Sequence, residues 1–243
     1  MAQVVIVTGG AGGIGSAICK SLAGDGLKVV IADFAKEAGE SLAEEIRKDG
    51  GEAIFQKVDV GDKPSVSLLV EKSLAAYGEI DFLINGAGVM PRAPVVEMSE
   101  EEWDRVIRIN LKGVFLCSQA VSRHMTQRKK GHIINVASGR GVAGQARAAH
   151  YAASKAGVIA FTKSLALELA PYNVCVNAIA PGRTDTPMSR AGYTEEEWKK
   201  HETVSPLMGG LTKKEEIVGL IRYLLSEPAQ YLTGQTFFLR TPK

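Results

Sequence analysis

Seven short apolar runs, separated by stretches of helical periodicity, constrain this chain more than any other feature. The runs fall at residues 4–7, 29–32, 53–58, 82–84, 133–136, 174–179 and 237–239. Most are rich in Val and Ile and lack the polar alternation of a sheet with one wet face, so each reads as a strand buried on both sides. Segments 13–23, 36–48, 64–77, 100–125, 152–170 and 213–225 read as helices between them. Strand, helix and strand in repetition imply parallel pairing, because a right-handed crossover needs about a helix to return. The expected fold class is α/β, a doubly wound sheet with helices on both faces.

Local signals mark several helix starts. Asp62 stands ahead of Pro64, Ser99 three residues before Glu102, and Thr212 three residues before Glu215. No Pro/Ser-rich linker or short repeat divides the chain, so residues 1–243 are expected to form a single domain. Residues 183–210 break the rhythm with polar and Gly-rich sequence and a short helical pattern at 195–200. A connection that long inside a domain is expected to be a substrate lid, or in part an ordered surface helix.

Charge and composition exclude several classes of function. The 29 Lys+Arg against 27 Asp+Glu leave a formal charge of +2 with no basic block, so neither nucleic acid nor an anionic membrane is an expected partner. Cys19, Cys117 and Cys175 are odd in number and widely spaced, which argues for reduced thiols rather than a disulfide framework. His124, His132, His150 and His201 lack metal-site spacing, and no metal is expected. No apolar run reaches about 18 residues, and Met1-Ala2-Gln3 leads into the first strand without a basic segment. The expected location is cytoplasmic.

The chemistry begins where the first strand ends. Thr8-Gly9-Gly10-Ala11-Gly12-Gly13-Ile14-Gly15 lies between a strand and a helix. Glycines there let backbone approach a ligand closely, and the helix start offers free N–H groups to a diphosphate. Asp33 ends the second strand, where a carboxylate accepts both ribose hydroxyls of an adenosine and repels a 2′-phosphate. The loop holds no Lys or Arg, and Phe34 follows Asp33, so the expected cofactor is NAD. Asp59 is a candidate for the adenine amino group or a plain strand-end turn. Tyr151 and Lys155 share a helix face at i and i+4, where a cation favours the phenolate of a proton-exchanging tyrosine. Ser138 lies thirteen residues before Tyr151, placed to hold a substrate oxygen.

These motifs resemble those of the short-chain dehydrogenase/reductase family over essentially the whole chain. The loop fits the family's Thr8-Gly9-x-x-x-Gly13-x-Gly15 pattern, and Asn85-Gly86-Ala87-Gly88 is similar to its Asn-Asn-Ala-Gly motif with a departure at Gly86. Asn110, Ser138, Tyr151 and Lys155 match a catalytic tetrad, and Asn177-Ala178-Ile179-Ala180-Pro181-Gly182 the motif before the lid. The resemblance implies a single-domain Rossmann fold with a seven-stranded parallel sheet, and commonly a homotetramer. It implies that Tyr151 is the acid or base, that Lys155 lowers its pKa, that Ser138 orients the substrate oxygen and that Asn110 holds a water linked to Lys155. NAD would then lie against Gly9, Gly12, Gly13, Ile14, Gly15, Asp33, Phe34, Asp59, Val60, Asn85, Ala87, Gly88, Tyr151, Lys155, Pro181, Gly182, Thr184 and Thr186. The ending Phe237-Phe238-Leu239-Arg240-Thr241-Pro242-Lys243 departs from the family's frequent Asp-Gly-Gly.

The implied activity is NAD(H)-dependent interconversion of a secondary alcohol and a ketone. Ser138, Arg140, Tyr151 and Arg183 are the candidate substrate residues, and Arg92 and Arg147 also lie in strand-end loops. Arginine suits the bidentate grip of a carboxylate or phosphate, so a small polar substrate with an acidic group is expected. The alternative for each arginine is a solvated surface position. A second enzyme reading is 3-oxoacyl-(carrier protein) reductase, with Arg128, Lys129 and Lys130 as half of a docking patch. A third, from another class, is a non-catalytic dinucleotide-binding regulator, which the complete tetrad disfavours.

Overall fold

The first strand shows why the central apolar runs are buried on both faces, whereas the edge runs at 53–58 and 237–239 are only partly buried because no described strand lies beyond them. β1 (Val4–Thr8) sends Val5 and Val7 into one core and Val4 and Ile6 into the other. The structure, a computed structural model, describes residues 2–191, 193–203 and 210–239. After β1 come β2 (Lys28–Asp33), β3 (Glu52–Lys57), β4 (Phe82–Asn85), β5 (Gly131–Val136), β6 (Val174–Pro181) and β7 (Thr236–Leu239). They form one seven-stranded sheet in the order β3-β2-β1-β4-β5-β6-β7, parallel at every pairing. Each strand lies within two residues of an apolar run in the sequence.

Helices cover both faces. α1 (Gly13–Gly24) and α2 (Lys36–Lys48) bury Ile18, Leu22, Leu42 and Ile46 against the Val5 side of the sheet. On the Val4 side, α3 (Lys63–Tyr77) contributes Val66 and Leu69. α4 (Glu100–Ile107) leads into α5 (Gly113–Arg128), which adds Leu116, Val121 and Met125 to that same side. After β5, the single turn α6 (Arg140–Ala143) precedes α7 (Ala149–Leu169), the longest of these helices. Each such aliphatic side chain, fully buried, contributes about 1.5–3 kcal/mol. The order reverses between β1 and β4, so the loops following those strands diverge and leave a crevice at their carboxyl ends.

The connection after β6 carries α8 (Pro187–Arg190) and α9 (Glu195–Thr203), followed by α10 (Lys214–Leu225), which packs on the Val5 side. The helical pattern at 195–200 is therefore an ordered helix. Residues 204–209 of the expected lid, and the tail Arg240 to Lys243, lie outside the described residues. Among the described residues no helix is long and apolar enough to cross a membrane, and no group of His, Cys, Asp or Glu could hold a metal ion.

Asp62 and Ser99 cap α3 and α4 by accepting the N–H groups of Ser65 at 3.0 Å and Glu102 at 3.1 Å. Thr212 does not cap α10. Its N–H is drawn to the Arg183 carbonyl at 2.8 Å, in a bridge that ties Thr184 to Thr212, so the helix starts one residue later. Lys213 is the actual cap, and the Glu216 carboxylate accepts its N–H at 3.0 Å. The expected single helix over 100–125 is also interrupted. A π-helical turn at Arg108–Lys112 separates α4 from α5 and carries Asn110.

Candidate active site

A cleft of about 750 Å³ opens in the crevice, lined at one end by the glycine loop and at the other by the residues following β5 and β6. At the glycine end the walls are backbone in close contact. A Cβ on Gly15 would lie 2.0 Å from the Gly9 carbonyl oxygen, and one on Gly9, whose φ is +67°, would lie 2.8 Å from the Ala87 backbone. The Thr8 hydroxyl accepts N–H groups from Gly86 at 3.1 Å and Ala87 at 3.3 Å, locking the loops after β1 and β4 together. Gly12 is the N-cap position of α1, no described side chain caps the helix, and its first turn contains no acidic residue. An uncapped helix start facing a cleft suits a diphosphate, and in this respect the residues fit a dinucleotide.

Asp33 stands beside that loop. Its carboxylate accepts the N–H groups of Ala11 at 2.9 Å and Ala35 at 3.0 Å. Phe34 is exposed at the cleft mouth, and the Lys57 ammonium lies 5.2 Å from its ring centre. Lys57 is the direct partner of Asp33 across β2 and β3. A cation therefore does stand beside Asp33 and Phe34, although none is adjacent in the sequence. Asp59 lies outside the cleft lining and holds Arg108, whose Nη1 donates at 2.9 Å and 3.1 Å, together with the Gly61 N–H at 2.9 Å. Burial alone would raise the Asp59 carboxyl; the Arg108 guanidinium and the Gly61 amide override it and hold the pKa below its ordinary value.

At the other end, Ser138, Tyr151 and Lys155 line the same cleft. Lys155 is 4% exposed, donates to the Val136 carbonyl at 2.6 Å and sits 5.7 Å from the Tyr151 ring centre. Burial lowers its pKa to about 8. Burial raises the Tyr151 phenol, while a hydrogen bond with Ser138 and the charge of Arg140 pull it back down. In this arrangement the guanidinium acting on the phenol is Arg140, and Lys155 is turned to the end of β5. Arg140 is positioned by its own N–H, which donates to the Ser138 hydroxyl at 3.2 Å.

Asn110 and Asn85 stand behind the cleft wall rather than in its lining. Asn110 is fully buried; its Oδ1 accepts the Val89 N–H at 2.8 Å, and its Nδ2 donates to the Val89 carbonyl at 2.9 Å and to Ser154 Oγ at 3.2 Å. The π turn thus aims one amide at the loop after β4 and at α7 together. Asn85 donates to Asn135 Oδ1 at 2.8 Å and Ser118 Oγ at 3.0 Å, inside the sheet network. The other predicted cofactor residues, including Val60, Gly88, Pro181, Gly182, Thr184 and Thr186, line the cleft.

The sequence gives no contact for two residues of structural weight here, His150 and the loop arginine Arg92. His150 is fully buried; its Nδ1 accepts the Tyr151 N–H at 2.8 Å, which leaves Nε2 to donate to Glu102 at 3.2 Å. It fixes the start of α7 against α4, a contact without any local signal. Arg92, from the loop after β4, lines the cleft with Arg140, Arg183 and Gln145. Its Nη1 donates to the Tyr193 hydroxyl at 3.0 Å.

Comparison with known proteins agrees with this architecture. Residues 3–197 match the family model described as short chain dehydrogenase. The chain is 40% identical to 3-oxoacyl-[acyl-carrier-protein] reductase of Synechocystis sp., over 97% of this chain and 94% of that protein. It is 39% identical to cis-4-hydroxycyclohexanecarboxylate dehydrogenase of Sinomonas cyclohexanicum, over 96% and 92%. The crystal structure of levodione reductase superposes with a TM-score of 0.92 at 30% identity, covering 98% of this chain and 95% of that one.

Proposed function

The chain belongs to the short-chain dehydrogenase/reductase family, and from that premise we propose that it is an NAD(H)-dependent enzyme interconverting a small, polar secondary alcohol and its ketone, with Tyr151 exchanging the proton. It is an oxidoreductase acting between CH–OH and C=O, in a family that binds a nicotinamide dinucleotide. The observation that carries the finer reading is the meeting of Tyr151, Ser138 and Lys155 on one wall of a cleft whose far end is the glycine loop.

The residues divide the work. The first-turn amides of α1 would hold the diphosphate, and Asp33 the adenosine ribose hydroxyls, which favours NAD. The nicotinamide, when bound, supplies the hydride donor or acceptor. Ser138 fixes the substrate oxygen beside Tyr151, which takes its proton during alcohol oxidation and returns it during ketone reduction. Burial opposes the phenolate that oxidation requires, and the hydrogen bond with Ser138 and the charge of Arg140 favour it. Asn110 acts through Val89 and Ser154 to keep the loop after β4 and α7 in register. The described residues 183–191 and 193–203 serve as lid in this reading. Copies pair into a homotetramer through exposed apolar groups such as Phe115 on α5, Leu167 on α7 and Phe238 on the edge strand β7.

Tyr151→Phe tests the assignment. Turnover in either direction should fall by about a thousandfold while the dissociation constant for NADH changes little. Retained turnover would overturn the role of Tyr151. One further reading has specific support. The Synechocystis relative is named a 3-oxoacyl-[acyl-carrier-protein] reductase, and Lys57 beside Asp33 would tolerate a 2′-phosphate. Against a carrier-docking patch, Arg128 is engaged by Glu79 and Asp81, and Lys130 lies 3.8 Å from Asp81. Faster turnover of a 3-oxoacyl thioester with NADPH than of small alcohols with NAD would favour that reading.

A further inference from the structure

We infer that Arg92, Arg140 and Arg183 form one anion-binding subsite beside Tyr151, so that the substrate carries a carboxylate or comparable oxyanion close to the carbon that changes oxidation state. This rests on the oxidoreductase reading above and adds the substrate class. The three guanidinium groups come from three different loops, after β4, β5 and β6, and converge on the substrate end of one cleft. Arg92 and Arg183 share a single aromatic ring: their Cζ atoms lie 4.3 Å and 5.6 Å from the centre of Tyr193. Burial first, and then the charges of Arg140 and Arg92, lower the Arg183 pKa, and Arg140 partly offsets the burial that raises the Tyr151 phenol, which puts the cluster beside that phenol.

Four other arginines are neutralised, and those among the described residues that also have no carboxylate within ion-pair distance, Arg47, Arg105, Arg123 and Arg147, lie outside the cleft. Arg108 is held by Asp59, Arg128 by Glu79 and Asp81, Arg190 by Asp185 and Glu195, and Arg222 by Asp25. No carboxylate among the described residues pairs with Arg92, Arg140 or Arg183 in that way. The Nε of Arg92 is buried without a hydrogen-bond acceptor. Gathering three like charges and burying an unpaired donor are both unfavourable, and the face of Tyr193 offsets only part of it. A planar oxyanion supplies what is missing, because it neutralises charge and accepts bidentate N–H groups.

Two measurements test the subsite apart from the reaction. Malonate and sulfate are titrated calorimetrically into the chain saturated with NADH. The wild type should bind malonate saturably, and Arg92→Met should weaken that binding by about tenfold or more while NADH affinity holds. Arg183→Met serves as a second variant, with circular dichroism melting to verify folding of both. Equal malonate binding by wild type and by both folded variants, or none by the wild type, overturns the proposal. In turnover, 3-hydroxybutyrate should exceed butan-2-ol in kcat/KM by about tenfold, and Arg92→Met should erase that preference. Preference for butan-2-ol would sink the subsite and leave the oxidoreductase reading standing. Binding of malonate without turnover of any alcohol or ketone would sink that reading and leave the subsite.

Discussion

One end of the cleft is made of backbone and the other of side chains. Around Gly9, Gly12 and Gly15 the fit depends on what is absent, since any Cβ at Gly15 would occupy the Gly9 carbonyl. Around Tyr151 it depends on long side chains brought from separate loops, with Arg92, Arg140, Arg183 and Lys155 lining one volume. The backbone end tolerates little change, and the relatives matched over nearly the whole chain carry names with quite different substrates. On the proposed reading, the difference teaches that the first end would set what class of cofactor enters, while the second would set what is turned over and can be retuned residue by residue.

The comparison is most easily broken at the backbone end. Gly15→Ala should put about 1–3 kcal/mol of strain on the loop and weaken NADH binding by about tenfold to a hundredfold, read by fluorescence titration. Unchanged affinity would show that the loop is not the cofactor cradle. Arg140→Met, at the side-chain end, should leave NADH binding alone and alter the pH profile. Burial already raises the Tyr151 phenol, and Arg140 holds it down. Removing that cation raises the phenol further, so the alkaline rise of kcat/KM for butan-2-ol oxidation moves to higher pH. Oxidation near neutrality falls several-fold, while reduction, which starts from protonated Tyr151, is spared. An unmoved profile would show that another group titrates. The smallest effect belongs to Lys57→Met, which should weaken NADP binding by up to about fivefold, as fits an exposed charge pair, and leave NAD binding unchanged. A matching loss for NAD would make Lys57 structural.

What could be read from sequence follows the same division. The strands were legible because most are runs of apolar residues with little polar alternation, and the glycine loop because its spacing sits between a strand and a helix. Tyr151 and Lys155 were legible as an i, i+4 pair. Lys57 was not, because only strand register sets it opposite Asp33. The π turn that carries Asn110 looks like ordinary helix in sequence, since one extra residue leaves the apolar pattern nearly intact. Arg92 was visible as a loop arginine, yet its meeting with Tyr193 and Arg183 depends on how three loops fold over one another. Thr212 carried a sound capping signal that a tertiary hydrogen bond to Arg183 overrode.

The most direct test of the central claim is absorbance-monitored formation of reduced dinucleotide from a panel of small secondary alcohols, each run with NAD and with NADP. Turnover of at least one alcohol with NAD, faster than with NADP and lost in Tyr151→Phe, is the predicted result. Tight NADH binding with no turnover of any alcohol, and none of the matching ketones in reverse, would contradict it and make the chain a dinucleotide-binding regulator.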